Sequence, residues 1–202
     1  MQLREALAQI SEIRAHVARA ETFRGYRSTV VAGSSFVACA AAAIQASWIH
    51  EPQQTPSAWL ALWASAAAIC LAATGIEMTW RHRRGGSPYA AKLTWMAVEQ
   101  FLPCVLAGGL VTAALARGAP ESVALLPGLW AVLFSLGVFA SCRLLPRATF
   151  WVGAYYLFAG VLALAFGRGE HALSPWVMVG CFGVGQAGAA VILYWSLERD
   201  RG

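Results

Sequence analysis

The stretch VALLPGLWAVLFSLGVFASCRL, residues 123–144, decides the fold. From Val123 to Cys142 it runs twenty residues without a charge, and Arg143 ends the run. At about 1.5 Å per residue, a helix of that length crosses the roughly 30 Å hydrocarbon layer of a bilayer. A backbone in lipid must satisfy its own hydrogen bonds, so a run of this kind is read as a helix.

Working outward, five similar runs appear. The six spans are Ser28–Ile49, Ala58–Trp80, Leu93–Ala116, Val123–Leu144, Thr149–Gly167 and Trp176–Leu197. The alternating ten-residue strands of a membrane barrel are not seen. The expectation is an all-α polytopic membrane protein, a bundle of six transmembrane helices preceded by an amphipathic cytoplasmic helix. Two regions result: residues 1–27, interfacial or cytoplasmic, and residues 28–202, the transmembrane domain.

Composition agrees. Of 202 residues, 58% are hydrophobic and 12% charged, against about 25% charged in a soluble domain. There is no Asn, and the only Asp is Asp200, which argues against Asp-based metal or phosphoryl chemistry. The net charge of +5 is no nucleic-acid signal, because the cations lie in loops between apolar runs. The first 22 residues alternate charged and apolar side chains, unlike a secretory leader, and Glu5, Glu12 and Glu21 are unlike a mitochondrial one.

Thr55-Pro56, Ser87-Pro88 and Ser174-Pro175 each offer a capping hydroxyl followed by a proline at the first helical position. Pro103 and Pro127 fall further in and are expected to kink the third and fourth spans.

Thirteen of the 15 Lys and Arg fall on one side, including Arg81, Arg84, Lys92, Arg143 and Arg147, and Arg117 and Arg168 alone on the other. This asymmetry places both termini in the cytoplasm. Eight of the nine tryptophans, Trp130 excepted, lie near span ends, as expected for a headgroup belt.

Before the first span, Leu3, Leu7, Ile10, Ile13, Val17 and Ala20 share one helical face. This segment can lie along the membrane, dock a partner or a second copy, or pack on the protein's own inner loops.

Glu77 and Glu99 are the only carboxylates within spans. An intramembrane acid suggests a proton or cation site, and with Arg81 and Arg143 they form a candidate polar cluster at the cytoplasmic mouth. The competing reading is structural. Glu77 precedes Arg81 by four residues, the favourable order for an intrahelical pair, and Arg143 is an anchoring charge.

Cys39, Cys70, Cys104, Cys142 and Cys181 fall one to a span, and are read as small packing residues. His50 and His171, each beside a glutamate, make an outside chance of an external metal or pH-sensing patch. Axial histidine pairs for haem are missing, and no cofactor or metal is expected.

In the sixth span Gly180, Gly183, Ala187 and Ala190 form a stripe of small residues suited to close helix packing. Gly137 and Ser141 make a second such pair. The mid-span amides Gln45 and Gln186 read either as hydrogen-bond links between helices or as the lining of a path.

CRLLPRATFWVGAYYLFAG, residues 142–160, and LSPWVMVGCFGVGQAGAAVILYW, residues 173–195, resemble an uncharacterised family of bacterial six-span integral membrane proteins. SEIRAHVARAETFRGYRS, residues 11–28, is similar in style to that family's leading segment. The resemblance implies a bacterial inner-membrane setting and no catalytic or binding residues.

No loop can hold a catalytic domain, and none of the familiar catalytic motifs occurs. The expected function is a non-enzymatic sensor, scaffold or accessory module that binds a partner through its N-terminal helix. The alternative is a small transporter or channel using Glu77 and Glu99, and an intramembrane enzyme is the remotest reading. The expected partners are the lipid bilayer and a protein or a second copy, with no nucleic acid.

Overall fold

The computed structural model describes residues 28–83, 88–142, 147–167 and 169–198. The leading segment 1–27 and Arg143 lie outside the described residues, as does the side chain of Arg81. Every regular element among the described residues is helical.

The helices are α1, Ser28–Trp48; α2, Pro56–Arg83; α3, Pro88–Gly118; α4, Leu126–Ser141; and α5, Thr149–Phe166. A 3-10 turn, Pro120–Leu125, leads into α4, and another, Gly169–His171, follows α5. The last helix, α6, is composite. It runs as α-helix over Pro175–Met178, π-helix over Val179–Val184, α-helix over Gly185–Leu193 and π-helix again over Tyr194–Glu198. All six are long and apolar enough to cross a membrane. Large apolar side chains such as Phe36, Ile76, Leu110, Phe158 and Phe166 stand exposed on the outside. In water that surface would be a severe penalty, whereas in hydrocarbon it is neutral.

Prolines open three of these helices, at Pro56, Pro88 and Pro175. Ser174 caps α6, its hydroxyl accepting the Trp176 N–H at 3.4 Å. Thr55 does not cap α2 in this way; its hydroxyl turns back and donates to the Glu51 carbonyl at 3.1 Å. Pro103 lies inside α3. Pro127, expected to kink its helix, is instead in the first turn of α4, where a missing N–H leaves no bond unmade.

Successive neighbours run α2, α1, α6, α5, α4, α3, while α2 and α3 touch each other only sparsely. Specific contacts fix the directions. Ser35 meets Gly183 and Gln45 meets Leu173, so α1 and α6 are antiparallel. The ends of α1 and α6 that carry Ser28 and Glu198 therefore lie together, at what is here named the proximal end.

The tightest packing is between α4 and α5. A Cβ at Gly160 would stand 2.9 Å from the Gly128 carbonyl oxygen and from the Val132 nitrogen. Ordinary side chains there would push the two backbones apart. Gly137 does similar work for α3, since a Cβ would fall 2.7 Å from the Phe101 ring. At the distal end Trp59, Trp63, Leu126, Val123 and Leu173 are buried together. Trp59 and Trp63 thus belong to the core and not to a headgroup belt. Trp48, Trp80, Trp95, Trp151, Trp176 and Trp195 remain exposed near helix ends.

Candidate functional site: an apolar cavity within the bundle

Two amides that look alike in sequence have separate fates. Gln45 is 1% exposed. Its Nε2 donates to the Leu173 carbonyl at 2.6 Å, and its Oε1 accepts the Trp63 indole N–H at 2.8 Å. One side chain thereby joins α1, α2 and the turn before α6. Gln186 instead lines a cavity. Its amide has no hydrogen-bond partner among the described residues.

That cavity measures about 720 Å³ and is lined by residues of all six helices. The size falls within the range of about 300–1,000 Å³ usual for small-molecule sites. One face of α3 forms its longest wall, through Phe101, Cys104, Val105, Gly108, Thr112 and Ala116. From the first to the last of these is about 22 Å along the helix axis. Ala64, Ala67, Cys70 and Thr74 of α2 stand in the wall beside it. Small residues usually let helices close on one another. Here they leave the space open: a Cβ at Gly109 would meet nothing within 4 Å, and one at Gly108 only Leu133 at 4.0 Å.

The distal end of the cavity is framed by Trp63 and Trp130. The Trp130 ring stacks on Trp59 at 5.5 Å and 13°, and its N–H donates to the Thr112 hydroxyl at 2.8 Å. The middle is walled by Phe134 and Phe182, set edge-on at 6.0 Å and 81°. Ser141 and Thr149 belong to the proximal part of the lining. Among the described residues no charged side chain lines it. The arrangement can hold a nonpolar molecule and offer it a few hydrogen-bonding groups.

Of the candidate polar cluster, the two described carboxylates are not part of this site. Glu77 is half-buried and Glu99 exposed, and neither lines the cavity. The helices that bear them, α2 and α3, meet only sparsely. Among the described residues no three His, Cys, Asp or Glu side chains gather as a metal would need. His50 and Glu51 share a surface recess with residues 52–54, and His171 is exposed. The loops that carry them are joined by a hydrogen bond from the Gln53 amide to the Gly169 carbonyl. The five cysteines are unpaired thiols, and Cys70 and Cys104 line the cavity.

The small-residue stripe of α6 divides. Gly183 and Ala190 are buried, but Ala187 is exposed and a Cβ at Gly180 would meet nothing within 4 Å. The cause is the π segment Val179–Val184, which holds more residues per turn than the α spacing assumes. The closest approach moves to Gly185, where a Cβ would fall 2.5 Å from the Tyr156 ring. Side chains from two neighbours cap the carbonyls of this segment. Ser35 donates to Gly183 at 2.7 Å, and the Tyr155 hydroxyl donates to Gly180.

The cavity itself was not anticipated. The only signal for it in the sequence is the mid-span amide of Gln186, together with Gly and Ala at helical spacing in α3. Comparison with protein families, with curated proteins and with solved structures finds no match to this chain.

Proposed function

We propose that this chain is a non-enzymatic, multi-pass membrane module that holds a nonpolar molecule within its helix bundle. In this reading it sits in a bacterial inner membrane with both termini in the cytoplasm, and its N-terminal helix carries the bound state to a protein partner or a second copy. The observation that carries the reading is the cavity of about 720 Å³, lined by no charged side chain among the described residues. A sensor or accessory subunit needs such a receptor site, whereas a plain scaffold has no use for one. A proton or cation route through Glu77 and Glu99 has less support, since neither residue lines the cavity.

The test is purification of the full chain in mild detergent, followed by native mass spectrometry. Wild type is expected to carry a solvent-extractable small molecule. Ala113→Phe, which fills the cavity wall, is expected to lower its occupancy at least about ten-fold, the equivalent of roughly 1.4 kcal/mol. Equal occupancy in the two proteins would remove the reading. Deleting residues 2–22 should release a stoichiometric partner while leaving the small molecule in place. Ion flux in liposomes that is abolished by Glu77→Gln or Glu99→Gln would favour transport instead.

A further inference from the structure

We infer that the occupant is an uncharged lipid with a single hydrocarbon chain, whose hydroxyl or carbonyl group hydrogen-bonds Gln186 half-way across the bundle. The inference rests on the cavity reading above and adds to it the class of ligand.

Shape is the first ground. A cavity of about 720 Å³ that follows α3 for about 22 Å, from Phe101 to Ala116, is elongated, the form of an extended hydrocarbon chain rather than of a compact ligand.

Charge is the second. Among the described residues no cation or anion stands in the lining, so none of them offsets the cost of bringing a phosphate, a carboxylate or an ammonium out of water. The head of the ligand is therefore neutral.

The third ground places that head. Trp63 and Trp130 donate to Gln45 and Thr112. Ser34, Thr74 and Thr112 each donate to a carbonyl of their own helix, at 3.3, 2.9 and 2.7 Å. Two lining groups stand apart: the Thr149 hydroxyl, buried without a partner among the described residues near the proximal end, and the Gln186 amide, for which no hydrogen bond is found among the described residues and which lies deeper, against an apolar space. A primary amide both donates and accepts, so it can bind a hydroxyl or a carbonyl. It lies twelfth in the span Pro175–Ser196, hence near mid-depth. A surface-anchored phospholipid head would not come so deep.

The experiment measures binding of labelled 1-hexadecanol, 2-heptadecanone, hexadecane, palmitate and a diacylglycerol to the full chain in detergent. The alcohol and the ketone distinguish the two head chemistries. At least one of them is expected to bind about five-fold more tightly than hexadecane, the worth of one hydrogen bond. Palmitate and the diacylglycerol are expected to bind more weakly than either. In Gln186→Leu the preference for the polar head should vanish, with hexadecane bound at least as tightly as the alcohol or the ketone. Gln186→Met serves if the Leu variant does not fold.

A preference that survives both substitutions overturns the inference. So does palmitate or diacylglycerol binding as tightly as the alcohol. In either case the cavity reading stands, provided Ala113→Phe abolishes binding. If Ala113→Phe leaves all binding intact, or no probe binds at all, both readings fall.

Discussion

The Trp63 indole N–H is held at 2.8 Å by the side-chain oxygen of Gln45, eighteen residues earlier and on the neighbouring helix. Because the Gln45 amide also holds Leu173, the three chain segments at the distal end share one buried polar joint. Replacing Gln45 with Leu leaves two buried groups unpaired, at a cost of about 2–4 kcal/mol. Trp63→Phe should remove about 1 kcal/mol through the same bond. Unfolding titrations in mixed micelles should show the double variant costing less than the sum. Simple additivity would mean that the bond contributes nothing.

The glycines of the bundle should separate sharply by position. Gly160→Ala drives a methyl group against the backbone of α4 and is expected to cost about 1–3 kcal/mol. Gly180→Ala meets open space and should be neutral, or stabilising by up to about 1 kcal/mol through helix propensity. Melting temperatures of the two variants, measured side by side, decide it. Equal losses would contradict the close approach of α4 and α5.

Adjacent tyrosines should respond in opposite directions to loss of the hydroxyl. Tyr155 donates to the Gly180 carbonyl, so Tyr155→Phe should destabilise by about 1 kcal/mol. The Tyr156 hydroxyl is buried without a partner among the described residues, so Tyr156→Phe should be neutral or stabilising by roughly 1 kcal/mol. A destabilised Tyr156→Phe would reveal a partner for that hydroxyl.

Orientation can be read with single cysteines in a cysteine-free background. A membrane-impermeant maleimide added to intact cells should label Gln53→Cys, in the distal loop. Arg199→Cys, at the C-terminal end, should label only after permeabilisation. The reverse pattern would invert the proposed topology.

Helix ends were legible because they follow from local chemistry. The span expected from Ser28 ends at Trp48 rather than Ile49, and the one expected from Thr149 ends at Phe166 rather than Gly167. Length, hydropathy and the Pro starts suffice for this. What lies between helices was not legible. Hydropathy gives one value to a side chain facing lipid and to one facing a cavity, so α3 reads as evenly apolar from Phe101 to Ala116 although one of its faces is a wall. Trp59 and Trp63 sit where belt residues sit in sequence, and only the partners Trp130 and Gln45 reveal them as core. The stripe on α6 failed for a different reason. Spacing arguments assume about 3.6 residues per turn, and Val179–Val184 does not keep it.

That irregular turn has a genetic consequence. A π segment arises when one residue is added to an α-helix, and one residue is worth about 100° of rotation. Losing a single codon between Val179 and Val184 would let α6 relax to regular form, and five residues of α-helix turn nearly as far as six in the wider π turn. Gly185 would stay against Tyr156, and Gln186 would keep the wall it now occupies. The joint is a spare link in the shaft. A one-residue deletion there should be tolerated, whereas one in the regular stretch Gly185–Leu193 would swing everything after it by about 100°.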